Sequence, residues 1–296
     1  MKKNGKRRGL QTYKCVGCGY KFQNKRKESN LVNQLMKQYI WQRQTYFNLA
    51  NKYRQSEKWV QRKLDKNTIS PVVRINQREV VVVADATFFS YSSALTVFRE
   101  PNIKKNIWWK ETSGERVENY RLGKAHLEKN GFVIKAVVLD GRTGVREVFK
   151  GIPVQMCHFH QKKIINKYLT ARPKLPAGQE LRMIAKTIPA SNEGALGKEL
   201  NDWFLKWHEF LKQKTTDTNT GRWFYTHKRI RSAYRSLKTN LSYLYTFQKY
   251  PELNIPNTTN SLDGFFNRLK SLINVHHGLN PKRRYKMIVK ILTGQT

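Results

Sequence analysis

The sequence predicts an α/β sheet domain that follows a short helical region and is interrupted by a long helical stretch. Three observations predict it. Residues 79–84 (EVVVVA) and 132–139 (FVIKAVVL) are continuous β-branched and apolar runs, as in central strands buried on both faces. Weaker strand signals and one helical segment surround them, an arrangement that suits a sheet with helices packed on it. From about residue 171 to 256 the strand signal disappears, and Trp203, Phe204, Trp207 and Phe210 recur at helical spacing.

Residues 1–27 are basic and hold YKCVGCGYKF, in which Cys15 and Cys18 form a C-x-x-C pair flanked by aromatics. Such a pair is half of the four-ligand set that a structural zinc needs. Two readings stand: a partial zinc-ribbon knuckle with Zn²⁺ on Cys15 and Cys18, or a loop without metal. In residues 28–68, Leu31, Leu35, Tyr39 and Ile40 recur at helical spacing, and a second segment puts Phe47, Ala50 and Tyr53 on one face. Ser56 is placed to cap a third helix that buries Val60 and Leu64 and projects Lys58, Gln61, Arg62 and Lys63. Two helices joined by a short turn, the second rich in basic and amide groups, suit a DNA-binding helix-turn-helix. A three-helix bundle with a solvated basic face is the alternative.

Residues 69–78, with Pro71, read as a linker. The first part of the sheet domain, residues 79–170, then begins. Its expected strands are 79–84 ending at Asp85, 91–98, 106–110, 132–139 ending at Asp140, and 153–157. A helix over 115–130 is stopped by Gly131, and another starts near His158. Residues 171–256 are expected to be an all-helical insertion. Residues 257–296 return to the sheet domain with an amphipathic helix over 259–273, carrying Leu262, Phe265, Phe266 and Leu269, and a basic helix after Pro281.

Charge names the partner class. The 296 residues hold 57 Lys and Arg against 20 Asp and Glu, a net charge of +37. That excess repels itself unless a polyanion neutralises it, and nucleic acid is the first candidate. A hydrophobic content of 39% excludes disorder throughout. No run of 18 apolar residues exists and the basic start lacks an apolar stretch, so no membrane span or secretory signal is expected. Three cysteines, Cys15, Cys18 and Cys157, suit a reduced cytoplasm better than a disulfide scaffold.

Asp85 and Asp140 each follow an apolar strand directly. A carboxylate there is costly unless solvated or paired with a cation, and strand ends of such sheets are where sites are built. If the two strands are neighbours, their oxygens suit Mg²⁺ or Mn²⁺. A third acid, Asp263, falls in the first turn of the helix that Asn260 or Ser261 caps, where the helix dipole favours it. Taken singly, each of the three reads better as a turn or capping residue.

The order Asp85, Asp140, C-x-x-H from Cys157 to His160, then TTNSLDGFFNRLK resembles the Mutator-like group of DDE transposases, the enzymes of insertion sequences and related mobile elements. The resemblance covers about residues 79–280, and the knuckle and helix-turn-helix ahead also look like that group's DNA-binding region. It implies a ribonuclease H-like core with a helical insertion between the second and third acids. It implies Asp85, Asp140 and Asp263 as catalytic metal ligands and His160 as a neighbour of the site. One departure stands out: Asp263 occupies the place of the family's Glu and is shorter by one C–C bond, about 1.5 Å. Other transposase groups of this chemistry use a third Asp.

The implied activity is Mg²⁺- or Mn²⁺-dependent DNA cleavage and strand transfer, without a covalent enzyme intermediate. Lys58, Gln61, Arg62 and Lys63 are the candidates for contacting the element's terminal repeats, and aromatics of the insertion for stacking on or wedging into flanking DNA. Pairing two ends implies at least a homodimer on double-stranded DNA, in the cytoplasm at the nucleoid. The rival readings are a catalytically inactive, transposase-derived DNA-binding protein and a junction-type nuclease of the same fold.

Overall fold

The computed structural model describes residues 1–7, 10–23, 28–68, 75–76, 78–90, 93–142 and 144–294. Most of the expected linker, with Pro71, lies outside the described residues. The chain divides into two compact units, residues 1–72 with 268–296, and residues 73–267.

In the first unit, β1 (Lys2–Arg7), β2 (Leu10–Lys14) and β3 (Lys21–Gln23) form an antiparallel sheet in that order. Tyr13 and Phe22 are direct cross-strand partners with ring centroids 5.7 Å apart, the pairing that stabilises a sheet this small. Cys15 and Cys18 lie in the β2–β3 turn, where the Cys15 N–H donates to the Tyr20 carbonyl at 2.8 Å. Three helices follow: α1 (Glu28–Trp41), α2 (Tyr46–Tyr53) and α3 (Glu57–Asp65). Ser56 caps α3 as expected, its Oγ accepting from the Trp59 N–H at 3.2 Å. Leu35, Ile40, Leu49 and Val60 are fully buried. Phe47 is 61% exposed, so the buried face of α2 runs through Leu49 and Ala50 and not through Phe47.

The second unit is mixed α/β. Its strands β4 (Glu79–Ser90), β5 (Ser93–Glu100) and β6 (Lys105–Thr112) are antiparallel neighbours. Then come α4 (Val117–Lys129), β7 (Val133–Leu139), the single turn α5 (Val145–Val148) and β8 (Val154–Met156). β7 runs parallel to β4, and β8 parallel to β7, so the sheet order is β6-β5-β4-β7-β8. The two apolar runs are its central strands. One face packs Val80, Val82, Ala84 and Val137 with Phe98, Tyr120, Leu127 and Phe149. The alternate residues Val81, Val83, Ala136 and Val138 are buried as well, which is why the runs are continuous and not alternating. Gly123 of α4 lets the helix sit on this face, since a Cβ there would lie 2.6 Å from the Phe98 ring and 2.9 Å from Trp108.

β4 does not end at Asp85, as its sequence suggested. It continues to Ser90 because β5 keeps pairing with it from Val83 to Ser90, whereas the parallel ladder with β7 stops at Val83. Asp85 therefore stands inside a strand, just past the point where one of its two neighbours ends.

After β8 come α6 (His158–Leu169), α7 (Pro176–Thr187), α8 (Glu193–Lys212), β9 (Lys214–Thr216), β10 (Trp223–Tyr225), α9 (Lys228–Leu244) and α10 (Thr246–Lys249). The insertion is thus not all-helical: β9 and β10 pair as an antiparallel hairpin. Its helices share a core of Leu181, Leu196, Leu200, Trp203, Ala233 and Leu237. The far end of α9 is fastened to the short strand β8: Gln155 Nε2 donates to the Leu244 carbonyl at 2.8 Å and Thr246 Oγ1 to the Val154 carbonyl at 2.6 Å.

α11 (Asn260–Ile273) begins in the second unit and ends in the first, and α12 (Pro281–Thr293) belongs to the first. Arg283 of α12 grips Asp65 of α3 through Nε–Oδ1 at 2.9 Å and Nη2–Oδ2 at 2.7 Å. The sequence had placed this basic helix with the sheet. Among the described residues no helix is long and apolar enough to cross a membrane.

Candidate metal centre

Asp85, His160 and Asp263 each offer a ligand atom, and these atoms all lie within 4.8 Å of one another. Three separate elements bring them there: the middle of β4, the first turn of α6 and the first turn of α11. Among the described residues this is the only cluster of three or more metal-ligating side chains. Asp140 is not in it. It is nevertheless near: it follows β7 directly, and its charge acts on both Asp85 and His160. The chain turns sharply there. Gly141 has φ +89°, and a Cβ would run into the Met156 side chain. Asp140 Oδ1 accepts from the Arg142 N–H at 2.9 Å.

Thr259, given no role in the sequence reading, organises the cluster. It is fully buried and caps α11, its carbonyl accepting from the Leu262 and Asp263 N–H groups. Neither Asn260 nor Ser261 takes that role, and the Ser261 hydroxyl is buried without a partner. Thr259 Oγ1 donates to Asp263 Oδ2 at 2.8 Å and lies 3.4 Å from both His160 Nδ1 and Cys157 Sγ. A hydroxyl has one proton and two lone pairs. With the proton given to Asp263, it accepts from His160, whose other ring nitrogen is then the one left for a ligand. Cys157 is fully buried. Burial pushes its thiol up, but hydrogen bonds with His160 and Thr259 prevail and hold it below its usual value. His158 is a packing residue: it is 2% exposed and its Nε2 bonds the Leu244 carbonyl at 2.6 Å.

Burial and like charge set the electrostatics of the cluster. Asp85 is 7% exposed. Burial lifts its carboxyl to about 7, and the charges of Asp140 and Asp263 add to this against the Ala86 N–H and His160. His160 is raised by its bond to Cys157 and by the charges of Asp85 and Asp140, against burial. None of the three carboxylates is salt-bridged to Lys or Arg among the described residues, in a chain with 57 such cations. The nearby Arg142 is committed to Glu115, with Nη1–Oε2 at 2.9 Å. Two carboxylates and one imidazole can hold a divalent cation; the imidazole favours an ion such as Mn²⁺ over Mg²⁺, which prefers oxygen donors. Of the three acids expected at a metal, Asp85 and Asp263 are in the cluster, His160 takes the third place, and Asp140 stays outside it.

The Cys15–Cys18 pair gains no third His, Cys or acid among the described residues, so the four donors of a structural zinc are not assembled there. On α3, Lys58 and Arg62 are exposed. Gln61 is half-buried and accepts from Arg283 Nη1 at 3.4 Å, and Lys63 lies 5.6 Å over the Trp59 ring. Comparison of the chain with protein-family models, curated proteins and solved structures found no match.

Proposed function

We propose that this chain is a Mutator-like transposase that binds element ends and carries out metal-dependent cleavage and strand transfer of DNA. The convergence of Asp85, Asp263 and His160 beside Asp140 carries the reading. It lies at the paired central strands of a sheet whose order, numbered by sequence, is 3-2-1-4-5 with only the second strand antiparallel to the others. That order supports a ribonuclease H-like core, and the α2–turn–α3 pair supports a helix-turn-helix. The β1–β3 sheet with its C-x-x-C turn fits the remnant of a zinc ribbon better than a loaded one. The charge of +37 supports DNA as the partner.

Asp85, Asp263 and His160 would hold one cation, and Asp140 stands next to them. When bound, such ions lower the pKa of a water nucleophile and stabilise the leaving 3′ oxygen. The chain's own groups prepare this. Thr259 fixes the Asp263 carboxylate and the His160 ring, which sets the donors before a cation arrives. Asp85 gives up the proton that burial makes it keep. Lys58 and Arg62 neutralise phosphates of the bound duplex. A polar cleft beside Gly141 holds Arg235, which is exposed, and Arg146, stacked 4.0 Å from the Tyr243 ring. It offers a further path for the DNA backbone.

Two observations favour a second reading. Asp140 falls outside the three-ligand cluster and Asp263 is shorter than Glu, as in a copy that binds DNA without cutting it. The test is incubation of the protein with duplexes spanning the DNA that flanks its own reading frame, and with supercoiled plasmid, in Mg²⁺ or Mn²⁺. Metal-dependent cuts that vanish in Asp140→Asn support the transposase. End binding without cuts in either metal supports the inactive protein. Absence of both refutes the DNA reading.

A further inference from the structure

The hairpin of β9 and β10 has no sheet to join. It has three residues per strand, and none of the six is buried. Isolated two-stranded hairpins are marginal in water, and this one is held at its base. The Thr226 N–H donates to the Gln213 carbonyl at 3.0 Å, His227 Nε2 lies 2.8 Å from Gln213 Oε1, and the His227 ring stacks 3.6 Å from Phe210. It is fixed to the ends of α8 and α9 while its own aromatics face water: Trp223 is 56% exposed and Phe224 42%.

Cations accompany each ring. Lys214 Nζ lies 3.8 Å from the Trp223 centroid, Lys228 Nζ 5.4 Å from Phe224, and the Arg231 guanidinium 3.6 Å from Tyr225. Residues 212–231 hold six Lys and Arg against one acid, Asp217, whose Oδ1 is used by the Asn219 N–H within the hairpin turn. An apolar partner would gain nothing from these charges, and a second basic copy would be repelled. A ligand that matches both features has flat π-faces joined by phosphates. In a paired duplex the base faces are covered by stacking, so that ligand has unpaired or extruded bases.

We propose that Trp223 and Phe224, which point to opposite faces of the hairpin, each stack on an unpaired nucleobase of bound DNA, with Lys214 and Lys228 neutralising the phosphates of the same strand. This rests on the DNA reading above and adds which part of the DNA the insertion holds: a segment whose bases have left the stack, as strands do when they are cut and exchanged.

The test is fluorescence anisotropy with the full chain at one salt concentration. The probes are a paired duplex, the same duplex with an internal run of unpaired thymines, and the single strand. Trp223→Ala is expected to weaken binding to both unpaired probes about tenfold and to leave the paired duplex unchanged, while Trp223→Phe keeps most of the affinity. A 2-aminopurine in the unpaired run is expected to be quenched by the wild type and not by Trp223→Ala. Equal weakening on all three probes, or none on any, overturns the stacking while duplex binding still stands. Failure of the wild type to bind any probe sinks the DNA reading and the stacking together.

Discussion

Asp85→Asn tests the metal centre without measuring catalysis. The folded chain holds the Asp85 proton up to about pH 7, against a usual value of 3.8. A carboxyl raised in this way adds stability at low pH, and that stability is lost as pH rises through the folded value. Each pH unit between the two values is worth about 1.4 kcal/mol, so from pH 5 to pH 8 the metal-free protein loses about 3 kcal/mol through this one group. Asparagine has the same shape, still accepts from the Ala86 N–H, and never ionises. In chelator, urea unfolding is therefore expected to show Asp85→Asn more stable than wild type at pH 8 by about 4 kcal/mol, with the gap narrowing to about 1.7 kcal/mol at pH 5 and closing below about pH 4. A bound cation removes the penalty by replacing the proton. Mn²⁺ at pH 8 is expected to restore the wild type and to leave Asp85→Asn unmoved. The reasoning is refuted if both proteins fall in parallel between pH 5 and pH 8, or if the variant keeps the full Mn²⁺ response.

Thr259→Val removes the hydroxyl that orients Asp263 and His160 at constant volume; Mn²⁺ affinity read by thermal shift is expected to drop about 10- to 100-fold with the fold retained. Gly123→Ala forces a Cβ against Phe98 and Trp108 and is expected to cost about 1–3 kcal/mol in urea unfolding; an unchanged midpoint would mean that α4 sits farther from the sheet. Lys58→Ala with Arg62→Ala is expected to weaken duplex binding on all sequences and to lower the salt slope by about 2, whereas an unchanged slope would put the DNA elsewhere. Asp263→Glu is expected to reduce Mn²⁺ affinity, because the aspartate already reaches Asp85 and His160; a gain in cleavage would instead mark the native residue as a loss from a working glutamate.

The central strands were legible because both of their faces are buried. Burial on both sides leaves a chain no choice but continuous β-branched residues, and a carboxylate that follows such a run is conspicuous. What escaped was whatever carries no apolar pattern. β1 is exposed along its length, and β9 and β10 are too short and too wet to alternate, although the Asp217 to Gly221 stretch is a turn signal that could have located the hairpin. The end of β4 was misplaced for a related reason. Beyond Asp85 the strand has one neighbour in place of two, so its burial becomes uneven from Ala86 to Ser90.

The site was legible as residue types and illegible as a coordination set. Asp85 and Asp140 could be brought near each other only through the β4–β7 pairing, and no sequence spacing fixes a register between strands this far apart. The link from Thr259 to Cys157 and His160 joins positions about a hundred residues apart across the whole insertion. It exists because the insertion returns its chain to β8, through Gln155 and Thr246, before α11 begins. That return brings the start of α11 to the start of α6. The cap residue of α11 is tied to the start of α6, so the helix that carries Asp263 is drawn towards the imidazole, and His160 becomes the third donor within reach while Asp140 remains at the margin.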